Sequence, residues 1–293
     1  MKTGKWTFAR TVVALAVIAA PVSAQQASDH QIQIFGQKIH YVEAGSGPNV
    51  ILLHGLGGDA TNWAQTVPAL APRYHVLVPD QIGFGQSDKP LINYRISTLV
   101  DFLDEFCNQL GIKKASVVGN SLGGWTAMAF TLAHADKVDR LVLVDSAGYS
   151  NARLGGERPN RDALLALEPS TLEGSRQLLK LIFYNQQRIT DESVRQFLAT
   201  KLQKNDSYTV DRFIDSIVRR DDVVDGKLGA IKAPTLIVWG REDALIRLPT
   251  AKALGEDIAG SKTVILDECG HVPQMECAVP FNQALLNFLG GGS

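Results

Sequence analysis

Long basic runs are missing from this 293-residue chain. The chain has 29 lysines and arginines against 30 acidic residues, for a formal net charge of -1, and beyond Lys2, Lys5 and Arg10 the cations are dispersed. A surface that tracks phosphates needs clustered cations, so nucleic acid is not an expected partner. Cysteine is scarce as well, with only Cys107, Cys269 and Cys277. No cysteine–histidine spacing matches a metal site, so neither a metal nor an organic cofactor is expected. In an oxidising compartment Cys269 and Cys277 can close a short loop; all three cysteines also read as small buried apolar side chains. The sequence leaves both readings open. No apolar run reaches the roughly 20 residues that span a bilayer, so no stable membrane anchor is expected. Internal repeats and low-complexity segments are absent too, and 45% hydrophobic with 20% charged residues is ordinary globular composition.

What is present begins with a separate segment. MKTGKWTFAR is basic, TVVALAVIAA is apolar, and Pro21-Val22-Ser23-Ala24 is a run of small residues. That order describes a secretory signal peptide over residues 1–24, with cleavage expected after Ala24 and export to the periplasm or medium.

From residue 25 onward, short apolar runs alternate with helical patterns. Ile32–Phe35 and Lys38–Ala44 read as a hairpin about Gly36-Gln37. NVILLHG (49–55), YHVLVPD (74–80), ASVVG (115–119), RLVLVDS (140–146), PTLIVWG (234–240) and KTVILD (262–267) are nearly continuous in Val, Leu and Ile. Such runs suit strands buried on both faces of a parallel sheet. Helix candidates at 96–110, 122–135, 249–258 and 279–289 lie between or after them. The expected fold is α/β: a mostly parallel sheet of about eight strands, by this count, with helices on both faces.

Between Tyr149 and Leu228 the alternation stops. In YTVDRFIDSIVRR, Val210, Phe213, Ile214, Ile217 and Val218 share one helix face. QLLKLIFYN is apolar around more of its circumference. The block is expected to be a helical cap (149–228), inserted after the sixth strand of a core made of 25–148 and 229–290.

The stretch SVVGNSLGGWTA (116–127) carries the chemistry. Ser121 sits between a strand and a helix, with Gly119 and Gly123 two residues to either side. A strand that turns directly into a helix strains its apex residue, and glycines at those positions remove the Cβ clashes. This is the G-x-S-x-G elbow in the context it requires. A serine hydroxyl needs a base, and the base needs an orienting carboxylate. His271, in LDECGHVPQ, and Asp243, in WGREDALI, each follow one of the last two strands. The order Ser121, Asp243, His271 is that of the elbow enzymes. Asp145, at the end of RLVLV, is a competing carboxylate, and Glu242 is one residue out of register with Asp243. His134 reads as a surface or capping residue, His40 and His75 as surface residues, and His30 lies outside the first strand. His54 reads as a pin for the loop LLHGLGG, with Gly55 letting the backbone approach the elbow. The backbone N–H groups of Leu56 and Leu122 would then form an oxyanion hole.

These pieces (LLHGLGG, PDQIGFGQSD, GNSLGG, GREDAL and CGHVPQMECAVPFNQALLNFL) resemble the α/β-hydrolase family over essentially the whole length from the hairpin to Leu289. The resemblance implies Ser121 as nucleophile, Asp243 as acid, His271 as base, and the helical insertion as a cap. Ser121 stands where the haloalkane dehalogenases and epoxide hydrolases carry aspartate, which excludes both. Two subgroups look similar. Secreted esterases and lipases share HGLGGDATNW, GNSLGG and an export signal. Carbon–carbon hydrolases of aromatic ring-fission products resemble the chain around LIFYNQQRITDESVRQF. That second group typically has a longer glycine-rich loop, a tryptophan after the catalytic histidine and a cap arginine for the substrate carboxylate. Here the loop is short, Val272 follows His271, Phe197 stands near where that arginine is sought, and Arg188 and Arg195 read as solvated charges. The expectation drawn is an exported serine hydrolase acting on a small-molecule or lipid ester with an apolar acyl or alcohol group. The alternatives are a carbon–carbon hydrolase and a non-catalytic ligand binder; transfer of the acyl group to an acceptor other than water leaves the same residues in place.

Overall fold

The computed structural model of the protein describes residue 1, residues 27–149 and residues 160–291. The signal-peptide reading therefore falls outside the described residues, as does the stretch 150–159 of the expected cap.

Eight strands form one sheet: β1 (Ser28–Ile34), β2 (Gln37–Ala44), β3 (Asn49–Leu53), β4 (His75–Pro79), β5 (Ala115–Asn120), β6 (Val138–Val144), β7 (Thr235–Gly240) and β8 (Lys262–Leu266). Their order is β1-β2-β4-β3-β5-β6-β7-β8, and β2 alone runs against the others. The hairpin turn is Phe35-Gly36, one residue earlier than the sequence suggested. Both residues have positive φ, 50° and 77°, the backbone sense that matches the twist of paired strands.

The valine- and leucine-rich strands feed two cores because alternate side chains point to opposite faces. Ile51, Leu53, Leu77, Val117, Leu141 and Ile237 go to one face, while Val50, Leu52, Val76, Val118, Val142 and Val238 go to the other. The first face is covered by α2 (Ile96–Gln109), α3 (Leu122–Ala133) and α8 (Pro249–Asp257), the second by α1 (Val67–Leu70) and α10 (Ala278–Leu289). A one-turn helix, α9 (Pro273–Glu276), precedes α10.

Between β6 and β7 the described residues form α4 (Arg161–Leu164), α5 (Leu172–Ile182), α6 (Asp191–Lys204) and α7 (Ser207–Arg219), and no strand. Side chains start these helices well. Thr171 accepts from the N–H of Gly174, and Thr190 and Ser193 satisfy each other's backbone in a capping box at α6. Helix α7 buries Val210, Phe213 and Ile214 on the face that the apolar spacing marks, and Phe213 stacks on Phe84 beyond the end of β4.

Candidate active site

Parallel strands end together, so the loops after β3, β5, β6, β7 and β8 converge at one edge of the sheet, where open α/β sheets bind ligands. Ser121 follows β5 directly and has φ 54° and ψ -116°, a strained apex. The reason for glycine on either side is measurable. A Cβ on Gly119 would lie 2.1 Å from the carbonyl oxygen of Gly123, and one on Gly123 would lie 2.3 Å from that of Leu53. Gly55 brings the loop after β3 against the Ser121 side chain.

Asp243 and His271 arrive from the loops after β7 and β8. His271 Nδ1 meets Asp243 Oδ2 at 2.8 Å, and both side chains are buried. Asp243 is itself oriented: its Oδ1 accepts from the N–H groups of Leu245 (2.8 Å) and Ile246 (2.9 Å). A carboxylate held this way fixes the imidazole with Nδ1 as donor and leaves Nε2 free to accept. Ser121 and His271 line the same cavity, of about 1250 Å³. Leu56 and Leu122 line it too, and among the described residues neither backbone N–H has an intramolecular acceptor.

His54 is a pin. Its Nδ1 donates to the carbonyl of Gly55 at 2.8 Å, and its Nε2 accepts from the N–H of Gln81 at 3.0 Å. Burial lowers its pKa, so the neutral ring is the form that fits. His40 is not the surface residue that its strand position suggested. It is buried between Asp80 and Asp29, 2.9 Å from each. The hydrogen bond to Asp80 raises its pKa. Asp80 also accepts from the N–H of Ala60 and of Gln86, so this pair secures loops beneath the site.

The sequence left the state of the cysteines open and gave no sign of the contacts that hold the loop around His271. Cys269 and Cys277 are joined in a disulfide, which closes a ring around His271. Cys107 remains a buried free thiol, pushed up to about 12 by burial. Within the disulfide ring, Glu276 accepts from the N–H of Gly270 (2.8 Å) and, across to the end of α5, from those of Tyr184 (3.0 Å) and Asn185 (2.8 Å). The N–H of His271 also donates to the carbonyl of Ile182 at 2.8 Å. A further clasp joins α6 to the loop after β3: Lys204 Nζ lies 2.7 Å from Asp59 and 3.0 Å from the carbonyl oxygen of Gly57.

The cavity wall is mainly apolar, with Leu178, Leu179, Ile182, Phe183 and Phe197 among its side chains. Arg188 and Arg247 also line it, and among the described residues neither forms an ion pair with a carboxylate. Arg188 and Arg247 are both exposed, so each is a solvated charge at the cavity rather than a buried one.

The alpha/beta hydrolase fold family matches residues 48–278. A 2-hydroxy-6-oxononadienedioate/2-hydroxy-6-oxononatrienedioate hydrolase of Klebsiella pneumoniae is 35% identical over 86% of this chain and 91% of its own. Among solved structures, the meta-cleavage product hydrolase of Pseudomonas fluorescens IP01 is 30% identical, with a TM-score of 0.79 over 90% of this chain and 98% of that one. A membrane phospholipase A also superposes, at 27% identity and a TM-score of 0.77, over 91% of this chain and 86% of its own. These findings overturn the expectation of an ester hydrolase and lend the lipid ester no support. The short loop, Val272 and Phe197 are single-position departures. They do not outweigh a likeness spread over most of the chain.

Proposed function

The chain belongs to the alpha/beta hydrolase fold family, and we propose that within it the protein is a serine hydrolase that splits a carbon–carbon bond in 2-hydroxy-6-oxo-dienoates, the ring-fission products of aromatic degradation. The observation that carries this reading is the 35% identity over 86% of the chain to a hydrolase of that kind. The cavity is consistent with it. A dienoate brings an apolar conjugated chain and a carboxylate, and the wall offers an apolar lining with Arg188 and Arg247. Guanidinium groups suit a carboxylate because their donors match its two oxygens.

The chemistry asks for an electron sink. Moving the proton of the 2-hydroxyl to C5 gives a 2-oxo-3-ene, in which electrons released at C5 delocalise to the C2 oxygen. Ser121 Oγ then bonds to the C6 carbonyl carbon while His271 Nε2 takes the hydroxyl proton, and Asp243 steadies the imidazolium. The oxyanion forms against the N–H groups of Leu56 and Leu122. Its collapse breaks the C5–C6 bond. The electron pair moves through the chain to the C2 oxygen, and the released dienolate takes up a proton. Water, deprotonated by His271, frees the C6 acid from Ser121. Every proton step falls to one imidazole at different moments.

The test uses the purified protein with a 2-hydroxy-6-oxo-dienoate, following loss of the conjugated chromophore, beside p-nitrophenyl esters of graded acyl length. The expected result is a higher kcat/KM on the dienoate, abolished in Ser121→Ala. Ester turnover with no dienoate cleavage overturns the proposal.

A further inference from the structure

Asp145 follows β6 directly, and its φ of 43° lies in the left-handed region. A non-glycine residue persists there only when its surroundings over-determine it. Its side chain is wholly buried. Its N–H donates to the carbonyl of Val238 at 3.1 Å, and its Oδ1 accepts from the N–H of Gly240 at 3.0 Å. Its Oδ2 is buried with no donor among the described residues. A carboxyl oxygen, a second carboxyl oxygen and an imidazole nitrogen, from Asp145, Asp243 and His271, all lie within 4.8 Å of one another. Asp243 spends Oδ1 on two backbone N–H groups and Oδ2 on His271. That leaves Asp145 as a buried acid facing a carboxylate.

Two buried carboxylates at this range do not both ionise beside a single imidazole. Asp243 accepts three hydrogen bonds and Asp145 only one, so the proton belongs on Asp145. There it becomes the missing donor, and both oxygens of Asp145 are then satisfied. Burial first, and then the charge of Asp243, push the Asp145 carboxyl well above the usual carboxylate range, in agreement with this placement.

We propose that Asp145 is a positioning residue of the site: as a neutral acid it donates a hydrogen bond to Asp243 and holds that carboxylate against His271, and when Asp243 is neutralised it releases its proton and takes over as the orienting carboxylate. The proposal rests on the triad assigned above and adds a fourth group to it. In the parent protein the proton stays on Asp145 throughout the cycle, so no net transfer through it is required.

Infrared difference spectroscopy of the substrate-free protein reads the proton directly. The parent is expected to show a protonated-carboxyl C=O band that shifts on H/D exchange and disappears in Asp145→Asn. Asp145→Ser serves the same purpose if the first variant does not fold. In turnover of a dienoate, Asp145→Ala removes the donor to Asp243 and is expected to lower kcat about 10-fold, with partial rescue in Asp145→Asn, which keeps a donor. Loss of the orienting carboxylate from a serine triad lowers kcat about 10⁴-fold. Asp243→Asn alone is expected to lose about 100-fold, because Asp145 substitutes, and the double variant Asp243→Asn with Asp145→Asn about 10⁴-fold. Equal losses in the single and double Asp243 variants, or absence of the band, overturn the proposal. The band is read without substrate, so failure of the proposed reaction and failure of this inference are separable outcomes.

Discussion

Asn120 Nδ2 donates to the carbonyl oxygen of His271 at 3.0 Å, and to that of Val144 at 3.1 Å. The residue beside Ser121 thereby holds the loop that carries the imidazole, linking elements 151 residues apart in sequence. Asn120→Ala leaves two buried carbonyl groups without this donor, at about 1–3 kcal/mol for an unsatisfied buried group. A displacement on the order of 1 Å at a reacting group can cost about 100-fold. The expected outcome is a fall in kcat of about 10- to 100-fold with KM nearly unchanged, measured by steady-state kinetics on a dienoate.

Glu276 gathers three backbone N–H groups from two separate segments. Glu276→Gln keeps the size and removes the charge and one acceptor, and hydrogen bonds to charged groups are worth about 1.5–3 kcal/mol each. Hydrogen exchange at the amides of Gly270, Tyr184 and Asn185 is expected to accelerate together. Acceleration at Gly270 alone would show that the link to the end of α5 carries no energy.

Asp59 gives a pH dependence with a definite sign. Burial opposes its charge, but the Lys204 ammonium overcomes that and holds its pKa at about 2, against 3.8 for the model carboxyl. The folded value lies below the unfolded one, so the stabilisation is full above the unfolded pKa and fades as pH falls from about 4 towards 2. The contribution is about 2 kcal/mol. In urea unfolding, Lys204→Met is expected to destabilise the protein at pH 6 and to differ less from the parent near pH 2. A constant difference across that range counts against the pair.

The Cys269–Cys277 disulfide closes a short ring, for which chain entropy gives about 2–3 kcal/mol. Cys269→Ser with Cys277→Ser is expected to lower Tm by several degrees in calorimetry. Cys107 is buried and holds its proton, so the folded parent should react with no equivalent of a thiol reagent until the disulfide is reduced.

The parts that announce themselves in the sequence are local. The Val-, Leu- and Ile-rich runs became strands because burial on both faces leaves no place for polar residues, and the elbow needs only glycines at fixed offsets from Ser121. Asp243 and His271 were readable because each follows a strand whose end lies at the site. What escaped depends on pairings across long stretches of chain. His40 looks like a surface strand residue until β2 pairs with β4 and brings Asp80 beside it. Glu276 gives no sign in the sequence that its partners are Tyr184 and Asn185. Asp145 was visible only as a rival to Asp243, because a shared proton has no sequence signature. Arg188 is exposed, as a solvated charge should be; what the sequence did not show is that it also stands at the cavity.

The grip of Lys204 on Asp59 and on the carbonyl of Gly57 falls one residue from the N–H of Leu56. A helix that lines the chamber is therefore fastened to the turn that carries a donor of the proposed oxyanion hole. A change that breaks the Lys204–Asp59 pair thus reaches past the helix to the backbone beside Leu56.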